Sequence, residues 1–508
     1  MNYLSVNKDI MRNRFIVMMS AMLPIIVSCG GVKMLVTDAD TAEITVPAGR
    51  TVLLPIEDSA PNAVMVVHSG GAVQGVPWNV RVAVNKEEYT VPFTAKEKTV
   101  LRLAGVSGKK AFCKGVRFGK ADIRNPSPRL HFKPPYGWIN DPNGMVYDGS
   151  RWHLFYQYNP YGAKWANMCW GHAVSSDLVT WEHMPVALEP DELGAIYSGS
   201  AVMKDGQMVA MYTSAWRQGG KKKQSQSLAF SSDGGRTFTK YSGNPVLTSK
   251  RTAFRDPKLF FHGPTGRWCV IIAAGDAMEI YSSQDLFDWK FESRFGEGAG
   301  CHGGVWECPD LFPLGDRWIL ISSCKRNKEI GSATQYFIGS FDGHVFTPDD
   351  VEERWLDHGT DHYAGVTWSG APEDRKVLLA WMGNWKHSAG IPTVGWRGLM
   401  TVPRELSLGE YGGRKVVQAY PVKEVLGALK SGEYVKIVLT AESPAMEIYG
   451  MTLRFDAGAS AFTISQESGS VSAELEKRPS HDLLVIKADN AVECFLDGGA
   501  VCMTCQKI

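Results

Sequence analysis

Carboxylates beside proline recur through the middle of this chain. They stand at Asn140-Asp141-Pro142, at Arg255-Asp256-Pro257 and, one place earlier, at Glu307-Cys308-Pro309. Two further polar stretches, Tyr197-Ser198-Gly199 and Asp361-His362-Tyr363, fall at similar intervals. Asp-Pro by itself is a common turn. Here each stretch directly precedes a short apolar run, which is the position of a strand opening. If successive units bring equivalent openings to one end of a shared axis, several carboxylates meet in one pocket. Crowding like charges away from water is costly and raises at least one carboxyl pKa. A scaffold gains nothing from that arrangement, whereas an acid working beside a nucleophile or base requires it.

The elements that must position these residues repeat as well. One half of the unit is a turn, a Trp and an apolar strand. It occurs as Gly149-Ser150-Arg151-Trp152-His153-Leu154-Phe155, as Gly266-Arg267-Trp268-Cys269-Val270-Ile271 and as Gly315-Asp316-Arg317-Trp318-Ile319-Leu320, with Met for Trp in Gly206-Gln207-Met208-Val209-Ala210-Met211. The other half is an Asp turn closing on an aromatic, around Asp177, Asp233, Asp285 and Asp342, which are 56, 52 and 57 residues apart. A period of about 55 residues, with room for four strands, points to propeller blades. A weaker fifth unit surrounds Val377-Leu378-Leu379-Ala380-Trp381. The expectation is an all-β chain with a five-bladed β-propeller over 129–408, whose innermost strands line the central channel and gather the polar openings.

The flanks read differently. Lys8, Arg12 and Arg14 precede an apolar run from Phe15 to Val27, then Ser28-Cys29-Gly30. This is the form of a signal peptide over 1–29, and its end is similar to a lipobox, with Cys29 as the lipidated residue of an exported bacterial lipoprotein, periplasmic or cell-surface. The bland alternative is a secreted protein with an incidental Cys. Residues 31–124 show short strands such as Ala42–Pro47, Ala63–Val67 and Val100–Ala104, punctuated by Gly, Pro and Asn, and read as an additional N-terminal β-domain with no chemistry of its own.

Composition excludes some classes of function. Lys plus Arg is 54 and Asp plus Glu 53, so there is no electrostatic case for nucleic acid. No apolar run reaches the ~18 residues that span a bilayer, which leaves a lipid anchor as the expected link to a membrane. The cysteines after Cys29 are irregularly spaced. Cys502 and Cys505 form a lone C-x-x-C without a second pair or an H-E-x-x-H, so neither a metal site nor a cofactor is expected.

Several of these segments together are identified with a known family. Trp138-Ile139-Asn140-Asp141-Pro142-Asn143-Gly144, Phe254-Arg255-Asp256-Pro257 and Trp306-Glu307-Cys308-Pro309 resemble, in order, the three acidic motifs of glycoside hydrolase family 32, which includes invertases, inulinases and levanases. Tyr156–Pro160, Trp165–His172, Tyr197–Ser200 and Trp381–Trp385 match further family blocks, and the likeness runs from about Leu130 to Leu406. It implies a propeller followed by a C-terminal β-sandwich over 409–508, and a retaining hydrolase that releases fructose from levan, inulin or sucrose. It further implies Asp141 as nucleophile, Glu307 as acid/base, Asp256 as acceptor for ring hydroxyls, and Asn140, Gln157, Trp165, Tyr197, Ser198, Arg255 and Trp385 as substrate contacts. The Trp165 and Trp381–Trp385 stretches look more like exo-acting fructanases than endo-acting ones. Two features depart from the family. Asp361-His362-Tyr363-Ala364 replaces the usual Asp-Phe-Tyr-Ala, and the segment after Gly409 is short. Endo-levanase and fructosyltransferase activity use the same residues, and a non-catalytic sugar-binding propeller is the alternative of another class.

Overall fold

The computed structural model describes residues 25–29, 31–38, 40–120 and 130–508. The leader expected over 1–29 lies outside the described residues up to position 24, as does the side chain of Cys29. The backbone of Ile25–Cys29 forms a strand paired with Val32–Asp38. Among the described residues no helix is long and apolar enough to cross a membrane.

The repeated units are five antiparallel sheets laid down one after another. Their first strands are Gly137–Tyr147, Ala195–Lys204, Arg255–His262, Glu307–Leu314 and Tyr363–Thr367. Each first strand touches the next, and the fifth touches the first, so the sheets close a ring with these strands innermost. The short strand Trp396–Arg397 pairs in parallel with Gly137–Tyr147 and ties the end of the ring to its beginning. The fifth sheet also takes in Arg404–Tyr411 and Arg414–Pro421, so its strands run on past Leu408.

Both sequence repeats have a physical reason. The Trp half starts the second strand of a sheet, where Trp152 and Trp268 bury their rings. The Asp half is the turn that follows the third strand. Asp177 accepts hydrogen bonds from the Val179 and Thr180 amides at 2.9 and 2.7 Å. Asp342 does the same with His344 and Val345 at 2.8 and 2.7 Å. These carboxylates pin Asx turns and stay far from the axis.

Two flanking units pack against the ring. Residues 32–118, together with the strand Ile25–Cys29, build a six-stranded sheet and a three-stranded sheet, joined through a core that includes Ile44, Leu101, Val52 and Leu54. Residues 434–506 build two four-stranded sheets around Leu453, Phe462, Val485 and Met503. Between this unit and the ring lies a buried ionic chain. Arg404 donates to Asp357 at 2.9 Å and to Glu493 at 2.6 Å, and His131 bonds Glu493 at 3.0 Å and Asp489 at 3.3 Å. The C-x-x-C lies on the last strand, Val501–Gln506. An offset of three on a strand sends its side chains to opposite faces. Cys502 thus joins the core shared with the ring, and Cys505 the core of the sandwich.

Candidate active site

Every first strand carries the same backbone defect at its opening. The pairing register slips between Ile139 and Pro142, Tyr197 and Gly199, Arg255 and Lys258, Glu307 and Asp310, and Tyr363 and Val366. A bulge frees residues from the ladder and re-aims their side chains. Proline, lacking an N–H, suits such positions, and Pro257 and Pro309 lie inside their bulges. Asp256 and Cys308 sit there with φ of 63° and 47°, a strained conformation for residues with a Cβ. The recurrent Asp-Pro of the sequence is the signature of this bulge.

The bulges bring three carboxylates together. Asp141 accepts a hydrogen bond from Ser198 Oγ at 2.7 Å on one oxygen and from Asn140 Nδ2 at 2.9 Å on the other. Asn140 is in turn held by Trp138 Nε1 at 2.9 Å. The Cys308 amide donates to Asp256 at 3.0 Å, while its thiol lies 3.6 Å from Asp141 and 3.8 Å from Asp256. Arg255 donates from Nη2 to Glu307 at 2.9 Å and approaches Asp256 at 3.7 Å. The second oxygen of Glu307 accepts a hydrogen bond from the buried Tyr363 hydroxyl.

One guanidinium thus serves two of the three acids, Glu307 and Asp256. Burial, followed by the negative charge of Glu307, raises the Asp141 pKa despite the bonds from Ser198 and Asn140. Asp256 is pushed up to about 7, by burial foremost; Arg255 opposes the shift, while Glu307 and Asp141 add to it. The cluster therefore retains protons at pH values where isolated carboxyls have lost them.

Next to the carboxylates the axis narrows. The space lined by Met145, Ser200, Pro257 and Lys258 holds about 20 Å³, room for a single water. Lys258 plugs it, donating to Asp310 at 3.0 Å and to the Thr367 carbonyl at 2.6 Å. Above, two half-exposed indoles flank the mouth. Trp165 stands edge-on to Tyr197 at 6.2 Å. Trp385 stacks on Trp138 at 6.2 Å. Gln157 is buried and donates to the Ile196 carbonyl at 3.1 Å, one step from Tyr197.

The structure therefore joins Asn140, Asp141 and Ser198 in one group and Arg255, Asp256 and Glu307 in another, with the Cys308 thiol between them and Gln157, Trp165, Tyr197 and Trp385 around them. It departs from the sequence reading at the fifth opening. Asp361 does not face this pocket; it accepts from His387 at 2.7 Å and from the Gln506 amide at 3.0 Å, on the sandwich side. The fifth bulge lies two residues later, and Tyr363 is the side chain that enters the site. Tyr363 and Cys308 were both missed as site residues. Cys308 had a signal in the sequence: it precedes proline where Asp141 and Asp256 do.

Fold and site together define a glycosidase-type propeller. Residues 131–420, more than half of the chain, match the model of the glycosyl hydrolases family 32 N-terminal domain, and the chain belongs to that family. It is 47% identical over 323 residues to the levanase of Bacillus subtilis (strain 168), a match covering 59% of this chain and 47% of the levanase. It is 38% identical over 344 residues to the extracellular exo-inulinase of Aspergillus awamori, covering 58% of this chain and 64% of the exo-inulinase. The chain thus matches about half to under two thirds of these relatives' lengths. The crystal structure of the A. awamori exo-inulinase superimposes with a TM-score of 0.67 at 30% identity, over 75% of this chain and 92% of that one. A fructofuranosidase of Schwanniomyces occidentalis, solved with fructosylnystose, gives 0.67 at 27% identity over 77% and 93%.

Proposed function

We propose that this chain is a retaining exo-β-fructosidase that removes terminal fructose from levan, inulin or sucrose. The observation that carries the proposal is the meeting of Asp141, Asp256 and Glu307, from three sheets, with one guanidinium joining Asp256 and Glu307 and a narrow floor beneath. Asp141, fixed by Ser198 and Asn140, attacks the anomeric carbon. As the bond to the leaving oxygen breaks, that oxygen takes a proton from Glu307. The covalent fructosyl ester then meets water, whose proton passes to Glu307 while its oxygen displaces Asp141. Asp256 accepts hydrogen bonds from ring hydroxyls as positive charge develops on the sugar. Arg255 and Tyr363 hold Glu307 in register.

Exo action follows from the floor. A chain terminus fits a pocket that narrows toward Lys258 and is flanked by Trp165 and Trp385, whereas the interior of a polymer needs an open cleft. Export, with lipidation at Cys29, follows from the basic and apolar leader, and suits an enzyme acting on polymers outside the cell. Early digestion of levan, inulin and sucrose tests the reading, with products sized by chromatography. Free fructose with polymer size nearly unchanged is expected. A rapid fall in polymer size with a ladder of oligosaccharides refutes exo action, and fructose transferred to sugar instead of water refutes the hydrolase.

A further inference from the structure

The N-terminal domain precedes the segment shared with the family, yet it grips the loop that bears Trp165. That loop, residues 160–168, joins strands Trp152–Asn159 and Cys169–Ser175. At nine residues it is long for a hairpin connection, and a loop of that length does not hold an aromatic tip in one place unaided. From the ring, the loop is tied near its two ends: Asn159 accepts from Asn167 at 3.0 Å and donates to the Lys164 carbonyl at 2.8 Å, and the Ile196 amide donates to the Met168 carbonyl at 3.0 Å.

Four contacts from the N-terminal domain surround the same loop. Trp78 packs edge-on against Tyr161, with ring centres 5.0 Å apart. The Tyr89 hydroxyl accepts from the Ala163 amide at 3.0 Å and donates to the Asp58 carboxylate at 2.5 Å. Lys164 Nζ donates to the Asp58 carbonyl at 2.7 Å. The Asn167 side chain makes a two-way bond with the backbone of Asn79, at 2.9 and 2.8 Å. Residues 161, 163, 164 and 167 are therefore held, and the residue left between them with its side chain half exposed is Trp165. The loop is anchored on both sides of the indole, and the indole itself points to the mouth beside Tyr197.

We propose that the N-terminal domain is a positioning element of the substrate site, holding Trp165 through Trp78, Asp58 and Tyr89 so that a fructan meets a pre-ordered aromatic wall. This rests on the fructosidase reading. Ordering the loop before substrate arrives removes an entropic cost from binding. It leaves bond breaking at Asp141 and Glu307 untouched, so its effect belongs in KM.

Tyr89→Phe and Lys164→Met, singly and together in the full chain, cut these links without entering the pocket. Losing the two hydrogen bonds between domain and loop should raise KM for a fructo-oligosaccharide about five- to tenfold in the double variant, with kcat within about twofold of the parent. Amide hydrogen exchange should quicken at 161–167 and nowhere else in the ring. In a Trp165→Ala background the double change should add nothing to KM, because the group being positioned is gone. Unchanged exchange at 161–167 overturns the positioning role. So does a KM effect that persists without Trp165, or a fall in kcat and melting temperature together. Failure of the unmodified chain to release fructose from any fructan overturns the fructosidase reading instead, and the exchange comparison still decides whether the domain orders the loop.

Discussion

Asp256→Asn separates a working carboxylate from a structural one by the sign of two effects. In the folded chain Asp256 has a pKa of about 7, against 3.8 for an ordinary Asp. A carboxyl whose pKa is raised by folding binds its proton more tightly in the native state. Its favourable share is complete below the unfolded pKa and is lost as pH climbs from 3.8 to about 7. A shift of that size sets an upper figure of about 4 kcal/mol against the native state at neutral pH. The neutral amide keeps the shape and can still accept from the Cys308 amide, so it escapes this penalty. The variant should melt near the parent at pH 4 and above it at pH 7.5, with the gap opening between. Activity should move the other way. Loss of charge-assisted acceptors for ring hydroxyls should cost roughly 10²- to 10³-fold in kcat. Calorimetry across pH and initial rates of fructose release measure the two effects. A variant that melts below the parent at pH 7.5 refutes the argument, since the carboxylate would then be stabilising where it stands.

Three other outcomes follow from the same structure. Asp141→Asn and Glu307→Gln should each lose roughly 10³-fold or more in rate while the fold survives, and a substrate with a good leaving group should partly restore Glu307→Gln. Near-normal activity in Asp141→Asn rules out its role as nucleophile. Arg404→Met leaves Asp357 buried without its arginine and Glu493 with His131 as its remaining cation, and should cost about 3–5 kcal/mol, read by thermal melting. Burial opposes the charge on His131, but hydrogen bonds to Asp489 and Glu493 outweigh it and lift its pKa to about 9. Its stabilising share is full below pH ~6.5 and is lost as pH rises through about 9, so the parent should show an alkaline decline in melting temperature that His131→Gln lacks.

The ring and most of the pocket were legible because both repeat. Trp152 and Trp268 mark strand starts, Asp177 and Asp342 mark turns, and Asp-Pro marks the bulge. Each is a local rule of backbone chemistry, and local rules are written in neighbouring residues. Register is not local. Nothing around Asp361 tells which residue of the fifth strand leaves the ladder, and without a proline to align on, the opening was placed two residues early. Cys308 was counted among irregular thiols because its contacts with Asp141 and Asp256 cross three sheets. The grip of Tyr89 on Ala163 spans 74 residues and two domains, and no pattern within either segment announces it.

The repeated bulge makes chemistry and architecture separable. Because the defect is set by strand pairing, each of the five openings works as a socket whose place on the axis does not depend on what fills it. Here the sockets hold acid, serine, acid, cysteine and alanine at one level, with asparagine, tyrosine, arginine, glutamate and tyrosine at the level beside it. Reactivity is then a matter of occupancy. Exchanging the occupant of a socket rewrites the charge pattern at the mouth while the ring that carries it stays the same object.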